Sequence, residues 1–491
     1  MPVTTPPASP VLPPATPDAS PSRVAPEDRI PVLQKIMFSL GMNTEYVATG
    51  LMTGVLWMPY FNIGMGISPA MLGLVLMILR AWDAISDPFI GNLSDNARTR
   101  WGRRRPFMIV GAILTGLMYP LFWHMPAELG ETAKVVYLVG VGILFFTCFT
   151  TWSMPYYGLQ LELTPSYDER TRLASWMALF SKISALAGGW VLAIVTGGWF
   201  INPETGRGDI LIGMKTACWF IAGAIIVFGL LPPLFVKERQ YGAEVRTQPR
   251  QSLLQSIRDS GRSKPLWLLI GISFFLVFGT MSIATVGQYL NIYYVFGGDL
   301  SAASVLAGWR MTAVVVTGII SIPIAAWLAE RFDKRSMVIG TLVVGIIGVQ
   351  LNYFCMRPDK PYLQLIPGVL EAGAYAAMWL FLPSMKADTA DYDELHTARR
   401  REGSINAFYS WFIKASLTCA MGVGGLVLEF SGFDASIGAQ PPEVVSRMFM
   451  LYLSLPVVIW GIAILFALKY PLNRTRMAEI RATLETRRGK L

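Results

Sequence analysis

Charge is scarce in this chain of 491 residues: Asp, Glu, Lys and Arg make up 15% of it, where soluble domains carry about 25%. That is too little to coat the water-facing surface of a protein this size, which excludes a large soluble domain. Histidine is scarcer still, and the two present, His124 and His396, give no metal cluster. The four cysteines (Cys148, Cys218, Cys355 and Cys419) lie far apart within apolar segments, so neither a disulfide framework nor a metal spacing is expected. The first 31 residues hold ten prolines and no apolar stretch, whereas a cleaved signal peptide needs an apolar core. A nucleophile–base set is missing, so an enzyme is not expected. No basic–aromatic module for nucleic acid is present either, despite a formal net charge of +9.

Apolar residues are abundant instead, at 53%. Runs such as Leu211–Val236 and Ser336–Met356 are long enough to cross the hydrocarbon layer, for which about 20 residues suffice. Twelve such runs separated by breakers predict twelve transmembrane helices, an all-α membrane protein. They fall near 35–61, 69–93, 106–126, 133–160, 173–200, 210–236, 265–296, 301–328, 336–356, 361–385, 403–431 and 444–470. Around them the chain divides into a disordered Pro-rich tail (1–34), a six-helix bundle (35–236), a linker (237–264), a second six-helix bundle (265–470) and a basic tail (471–491).

The loops alternate in charge. Those after helices 2, 4, 6, 8 and 10 hold Arg98, Arg100 and Arg103–Arg105; Arg170 and Arg172; seven Lys/Arg from Lys237 to Lys264; Arg331, Lys334 and Arg335; and Arg399–Arg401. Asn62–Ser68 and Gly297–Leu300 have none, and Asn202–Asp209 has Arg207 alone. The positive-inside rule then puts the basic loops and both termini in the cytoplasm, for a multi-pass protein of the plasma (inner) membrane.

The two bundles echo each other. Met108-Ile-Val-Gly111 after the first basic loop answers Met337-Val-Ile-Gly340, and Tyr167-Asp-Glu answers Tyr392-Asp-Glu. The offsets, 229 and 225 residues, nearly agree, as duplicated halves with a site at their interface require.

Charges at the centre of a spanning helix cost about 2.5–3.5 kcal/mol each and call for a partner or a function. They are Glu45, Arg80, Asp83, Asp87, Lys182, Arg310, Glu371 and Lys414. Asp83 and Asp87, four apart, stack on one helix face. A bound Na⁺ or a proton would relieve their repulsion; a structural pairing with Arg80 is the equal alternative. Thr150 and Ser153 offer neutral oxygens, although hydroxyls in such helices commonly bond their own backbone. Lys414 either neutralises an acidic partner for stability or compensates the carboxylates when no cation is bound. Glu45 and Lys182 either contact a polar substrate or pair structurally, and a structural role is expected of Arg310. Tyr46, Tyr157 and Trp379 are candidate stacking surfaces for a sugar ring, or ordinary packing. Gln288 and Asn291 are candidates for hydroxyl recognition. Arg103, Arg104 and Arg105 set topology, and could also latch the halves together, with Asp95, Asp168 or Glu169 as acidic partners.

Three stretches carry a family resemblance. They are Arg80-Ala-Trp-Asp-Ala-Ile-Ser-Asp-Pro88 with Thr99-Arg-Trp-Gly-Arg-Arg-Arg-Pro106; Met154-Pro-Tyr-Tyr-Gly-Leu159 with Glu162 and Arg170-Thr-Arg; and Ala387-Asp-Thr-Ala-Asp-Tyr-Asp-Glu394 with Arg399-Arg-Arg-Glu-Gly403, Phe408 and Lys414. Together they resemble the glycoside–pentoside–hexuronide:cation symporters, the melibiose-permease branch of the major facilitator superfamily. The resemblance implies that fold, and that Asp83, Asp87 and Thr150 bind the coupling cation with Lys414 in the same network. Ser86 stands where the family has asparagine, which leaves Na⁺ or H⁺ open. Tyr46 and Ser153 stand where the family's melibiose transporters have aspartates, Lys182 is the nearest cation to their helix 5 arginine, and Trp379 matches their helix 10 tryptophan.

The expected function is cation-coupled symport of a sugar or glycoside, with no cofactor beyond the coupling ion. A lysolipid or other amphiphile carrier is the alternative, since a vertebrate branch of the family resembles that. A membrane receptor that binds without translocating is a third reading.

Overall fold

The computed structural model describes residues 29–97, 99–164, 166–203, 206, 208–238, 261, 263–397, 402–435, 437 and 439–488. Most of the Pro-rich tail and of the 237–264 linker, together with Arg98, Arg207 and Arg399–Arg401, lies outside them. The described chain is helical, apart from one antiparallel bridge between Ile201 and Gly208. Helix α1 is a composite of Val32–Ser39, Gly41–Glu45, Tyr46–Leu56 and Pro59–Gly64. There follow α2 (Pro69–Asn96), α3 (Arg105–Trp123), α4 (Glu131–Glu162), α5 (Tyr167–Val195) and α6 (Ile210–Phe235). The second set is α7 (Lys264–Tyr289, continued by Leu290–Val295), α8 (Leu300–Arg331), α9 (Lys334–Cys355), α10 (Leu365–Thr397), α11 (Glu402–Phe430) and α12 (Pro442–Lys469). A last helix, α13, covers Arg474–Arg488.

Local chemistry sets the ends. Ser68, Asp209 and Asp299 cap α2, α6 and α8 by accepting from Met71 N, Leu211 N and Ala302 N, which satisfies donors the helix leaves open. Helix α5 begins six residues before the predicted 173 and stops before Gly197 and Gly198. Helix α10 runs on to Thr397 rather than ending near 385; its charged last turns continue past the apolar part of the span.

Among the described residues, eleven helices are long and apolar enough to cross a bilayer. The first crossing, Val32 to Gly64, is broken into α- and π-helical turns. Thr49 Oγ1 donates to the Glu45 carbonyl (2.8 Å) and Thr53 Oγ1 to the Thr49 carbonyl (2.9 Å). Hydroxyls inserted in the ladder, with Gly50 and Gly54 beside them, favour such widening.

The echo seen in the sequence recurs in the packing. Helix α4 packs on α2 and α3, and α3 on α6; α10 packs on α8 and α9, and α9 on α12. The halves meet along α2 with α11 and α5 with α8, again a symmetric pair. Glycine permits both approaches, as small residues do between membrane helices. A Cβ on Gly425 would lie 2.1 Å from the Pro69 carbonyl oxygen, and one on Gly189 2.5 Å from the Met311 Cβ. Hydrogen bonds between the halves gather at the end away from the arginine loops. Trp190 Nε1 donates to Thr312 Oγ1 (3.1 Å), the Thr196 and Ser304 hydroxyls lie 2.9 Å apart, and the Tyr289 hydroxyl donates to Asn62 Oδ1 (2.6 Å). The halves are therefore fastened at that end.

Candidate functional site

Asp83 and Asp87 point from α2 toward α4, where Thr150 is fully buried. The Thr150 hydroxyl reaches both carboxylates, at 3.3 Å from Asp83 Oδ1 and 3.5 Å from Asp87 Oδ1. Ser86, one position before Asp87, joins them: its hydroxyl lies 3.3 Å from that of Thr150 and donates to the Asp83 carbonyl at 3.2 Å. Across the inter-half boundary, Lys414 of α11 forms an ion pair with Asp87 Oδ2. Arg80 is only loosely associated with Asp83, at 3.8 Å, and its guanidinium lies over the Phe146 ring instead. Asp87 is thus buried against a counter-charge from the other half, while Asp83 has a distant one on its own helix. The oxygens that converge are hard and few, two carboxylates and two hydroxyls, a set that suits Na⁺ or a proton. No group of three or more His, Cys, Asp or Glu converges among the described residues.

The expected substrate residues fall nearby but not in one cluster. Tyr157 of α4 donates its hydroxyl to the Glu45 carboxylate of α1, at the junction where α1 turns from α- to π-helical. Tyr46 rests its ring on Gly188 of α5, where a Cβ would come within 2.4 Å. Ser153 is buried in α4, one turn from both Thr150 and Tyr157. Lys182 of α5 extends its ammonium toward Gly318 of α8, and has no ion-pair partner among the described residues. Trp379 lies on α10 with its indole exposed. Glu45, Tyr46, Tyr157 and Lys182 are therefore held by α1, α4 and α5 of one half, with Lys182 reaching α8 of the other.

The three arginines occupy the turn into α3. Backbone N–H groups of Arg103, Arg104 and Arg105 all donate to the Glu238 carboxylate, at 2.9–3.0 Å, an anion on a helix N-terminus. Arg104 pairs with Asp95 at 2.7 Å and Glu162 at 3.1 Å, and Arg103 also pairs with Glu162. Asp95 is one of the acidic partners expected of this turn, here paired within one half, and Glu162 and Glu238 are further ones. Glu169 is engaged elsewhere, with Lys35, Arg172 and the Ile30 backbone N–H. The Asp168 side chain lies outside the described residues. These described bonds join elements of the N-terminal half to one another and to the start of the linker that follows it.

A second charge pair, not marked by any sequence spacing, lies in the C-terminal half. Arg310 of α8 meets Glu371 of α10 at 3.1 Å, and the other Glu371 oxygen accepts from Asn352 Nδ2 at 3.1 Å. Opposite charges at similar depth in two helices of one half were the available signal.

Residues 37–474 match the family described as MFS/sugar transport protein. Among relatives, the chain is 24% identical to the sodium-dependent lysophosphatidylcholine symporter 1-B of Danio rerio, over 94% of this chain and 91% of that one. It is 23% identical to the isoprimeverose transporter of Lactiplantibacillus pentosus, over 94% and 93%. Among solved structures, a bacterial homolog of the human lysosomal transporter Spinster superposes with a TM-score of 0.61 at 14% identity, covering 92% of this chain and 97% of that one. With twelve crossings among the described residues, in two matched halves, and this match along nearly its whole length, the chain belongs to the MFS/sugar transport protein family, and is a multi-pass membrane transporter of the major facilitator superfamily, not an enzyme.

Proposed function

We propose that the protein is a cation-coupled symporter of a sugar or glycoside that works by alternating access. The observation that carries this reading is the convergence of Asp83, Asp87 and Thr150 in one half on Lys414 of the other. In that reading Na⁺ or H⁺ enters between the carboxylates and displaces the lysine. The cation thereby alters a contact between the two halves, which is what coupling to an alternating-access motion requires. Glu45, Tyr46, Ser153, Tyr157, Lys182 and Trp379 would contact the substrate, and Arg103–Arg105 would latch the basic end when it closes. The arginine end faces the cytoplasm of a plasma membrane, with both termini on that side.

The zebrafish relative's name favours a second reading, a lysolipid carrier. Purified protein in proteoliposomes separates the readings. Uptake of labelled sugars, glycosides and lysophosphatidylcholine is compared under an inward Na⁺ gradient, an inward proton gradient and no gradient. Gradient-driven accumulation of a sugar or glycoside is expected. Accumulation of the lysolipid alone would overturn the sugar assignment, and saturable binding without uptake of any probe would make the protein a receptor.

A further inference from the structure

The Arg310–Glu371 pair forms part of the wall of a cavity of about 340 Å³ between the halves. Buried ion pairs are poor stabilisers, since apolar residues of similar volume often do as well or better. In a membrane helix they point to a function. The two members are not equally engaged. Glu371 has one oxygen on Arg310 and the other on Asn352, and its side chain is 10% exposed. Arg310 is 29% exposed and lines the cavity together with Tyr452. A guanidinium has five N–H donors in a fixed fork, so Arg310 retains donors toward the cavity.

The surroundings select a ligand class. Tyr375 stands one turn after Glu371 and lines the same cavity, so it offers an aromatic ring. Gln288 donates its amide N–H to the Val55 carbonyl of α1 at 3.4 Å, across the halves, which leaves its carbonyl as an acceptor. A charge-balanced pair, an aromatic ring and an amide acceptor suit a neutral polyhydroxylated ring, whose hydroxyls both donate and accept while its C–H face packs on the aromatic. A carboxylate on the ligand would face Glu371 beside Arg310. A zwitterionic headgroup would have to part the existing pair. The volume is at the low end of the about 300–1,000 Å³ of ligand sites, which suits a sugar and leaves little room for a long acyl chain.

We infer that this cavity is a second substrate subsite, carried by the C-terminal half, which holds the ring of a neutral sugar between Arg310 and Tyr375. The inference rests on the sugar-symport reading and deepens it: substrate would touch both halves, with one end among the α1, α4 and α5 residues and one ring here.

The test uses cysteine protection in the full chain. Ala284 lines the cavity and is exposed; Ala284→Cys is made with the four native cysteines changed to serine, and its alkylation by N-ethylmaleimide is timed in nanodiscs. The probes are methyl xylopyranoside, methyl galactopyranoside, glucuronate and lysophosphatidylcholine, each also assayed for transport. A neutral glycoside is expected to slow alkylation. Its half-protecting concentration is expected to rise about ten- to a hundredfold in Arg310→Gln/Glu371→Gln, the loss of charge-assisted hydrogen bonds. The double change keeps the site neutral where a single one would leave a buried charge, and Tyr375→Leu, which keeps the pair, is expected to weaken protection as well. A glycoside that is transported without protecting position 284, with KM unchanged in both variants, would overturn the subsite and leave the symport reading standing. Protection by glucuronate or lysophosphatidylcholine in place of the neutral glycosides would overturn the ligand class and with it the inference. If no glycoside is transported or protects, sugar symport and the subsite fail together.

Discussion

Lys414 of α11 is ion-paired with Asp87 of α2, one residue from each half of the molecule. The carboxylate is buried and the lysine side chain is 46% exposed, so the lysine is the partner able to leave. Removal of one member of a buried pair typically costs about 3–5 kcal/mol unless another charge replaces it. A cation between Asp83 and Asp87 is such a replacement.

Lys414→Ala is therefore expected to weaken cation-stimulated sugar binding more than cation-free binding. Calorimetric titration of a transported sugar into purified, folded variant, with and without the coupling ion, measures both. Equal proportional loss in the two titrations would leave the lysine a structural role only.

Asp83→Asn and Asp87→Asn are expected to abolish gradient-driven accumulation, by at least about tenfold, while sugar exchange persists. The motive is the shared Thr150 hydroxyl between two carboxylates, which neither asparagine reproduces as a cation ligand. Counterflow and concentrative uptake in the same proteoliposomes check it. Undiminished accumulation in both variants would return the carboxylates to structure.

The crossings were legible because membrane spans are written in runs of apolar residues, and the repeat because its echoes sit at turns. The Asp83–Asp87 pair announced itself through i,i+4 spacing. What spacing could not give was its partners: Lys414 lies 327 residues from Asp87, and only packing of α2 on α11 brings it there. The same limit hid Glu371 from Arg310, and Glu238 from the arginine turn. The π-helical turns of α1 were hidden for another reason. They coincide with threonine hydroxyls on backbone carbonyls and with Gly50 and Gly54, local features the apolar pattern does not record.

Gly425 tests how tightly the halves close. Its Cβ would meet the Pro69 carbonyl at 2.1 Å, a backbone atom that cannot rotate away. Gly425→Ala is expected to force α2 and α11 apart, with an overpacking cost of about 1–3 kcal/mol. Spin labels at positions 71 and 426, both exposed, should report a longer mean distance by pulsed electron resonance. An unchanged distance distribution would show that the helices re-pack around the methyl group.

Lys35 and Glu169 tie α1 to α5 with both side chains nearly buried, at 9% and 1% exposure. Lys35→Met leaves the Glu169 charge with the Ile30 backbone N–H and the more exposed Arg172. The expected loss is up to about 3–5 kcal/mol, read as a lower melting temperature in detergent. Lys35→Met/Glu169→Leu should recover most of it. A double variant no more stable than the single one would mean that Glu169 matters through the Ile30 bond.

The fastening at the other end depends on a charge that crosses the halves. Glu429, at the end of α11, accepts from the Ser68 hydroxyl at 2.7 Å and from Ala70 N at 3.3 Å, so a carboxylate of one half sits on the first turn of α2 in the other. Glu131 of the first half accepts from Ser68 N at 2.9 Å, which keeps the α2 end capped whether or not Glu429 is present. The cross-half carboxylate therefore stabilises closure of this end rather than the helix itself. An anion on an exposed helix N-terminus contributes about 0.3–1 kcal/mol, and up to ~2 where partly buried. Glu429→Gln keeps an acceptor and a similar shape but removes the charge, so the closed-to-open ratio at this end should fall by about two- to fivefold, since about 1.4 kcal/mol is tenfold. Labels at positions 71 and 426 resolve the two populations, and salt should narrow the difference between wild type and variant, because screening weakens an exposed charge. In the same variant, cation-stimulated sugar binding should keep its ratio to cation-free binding, since Asp83, Asp87 and Lys414 are untouched. A loss of that ratio with the distance distribution unchanged would show that Glu429 acts on the cation site and not on closure.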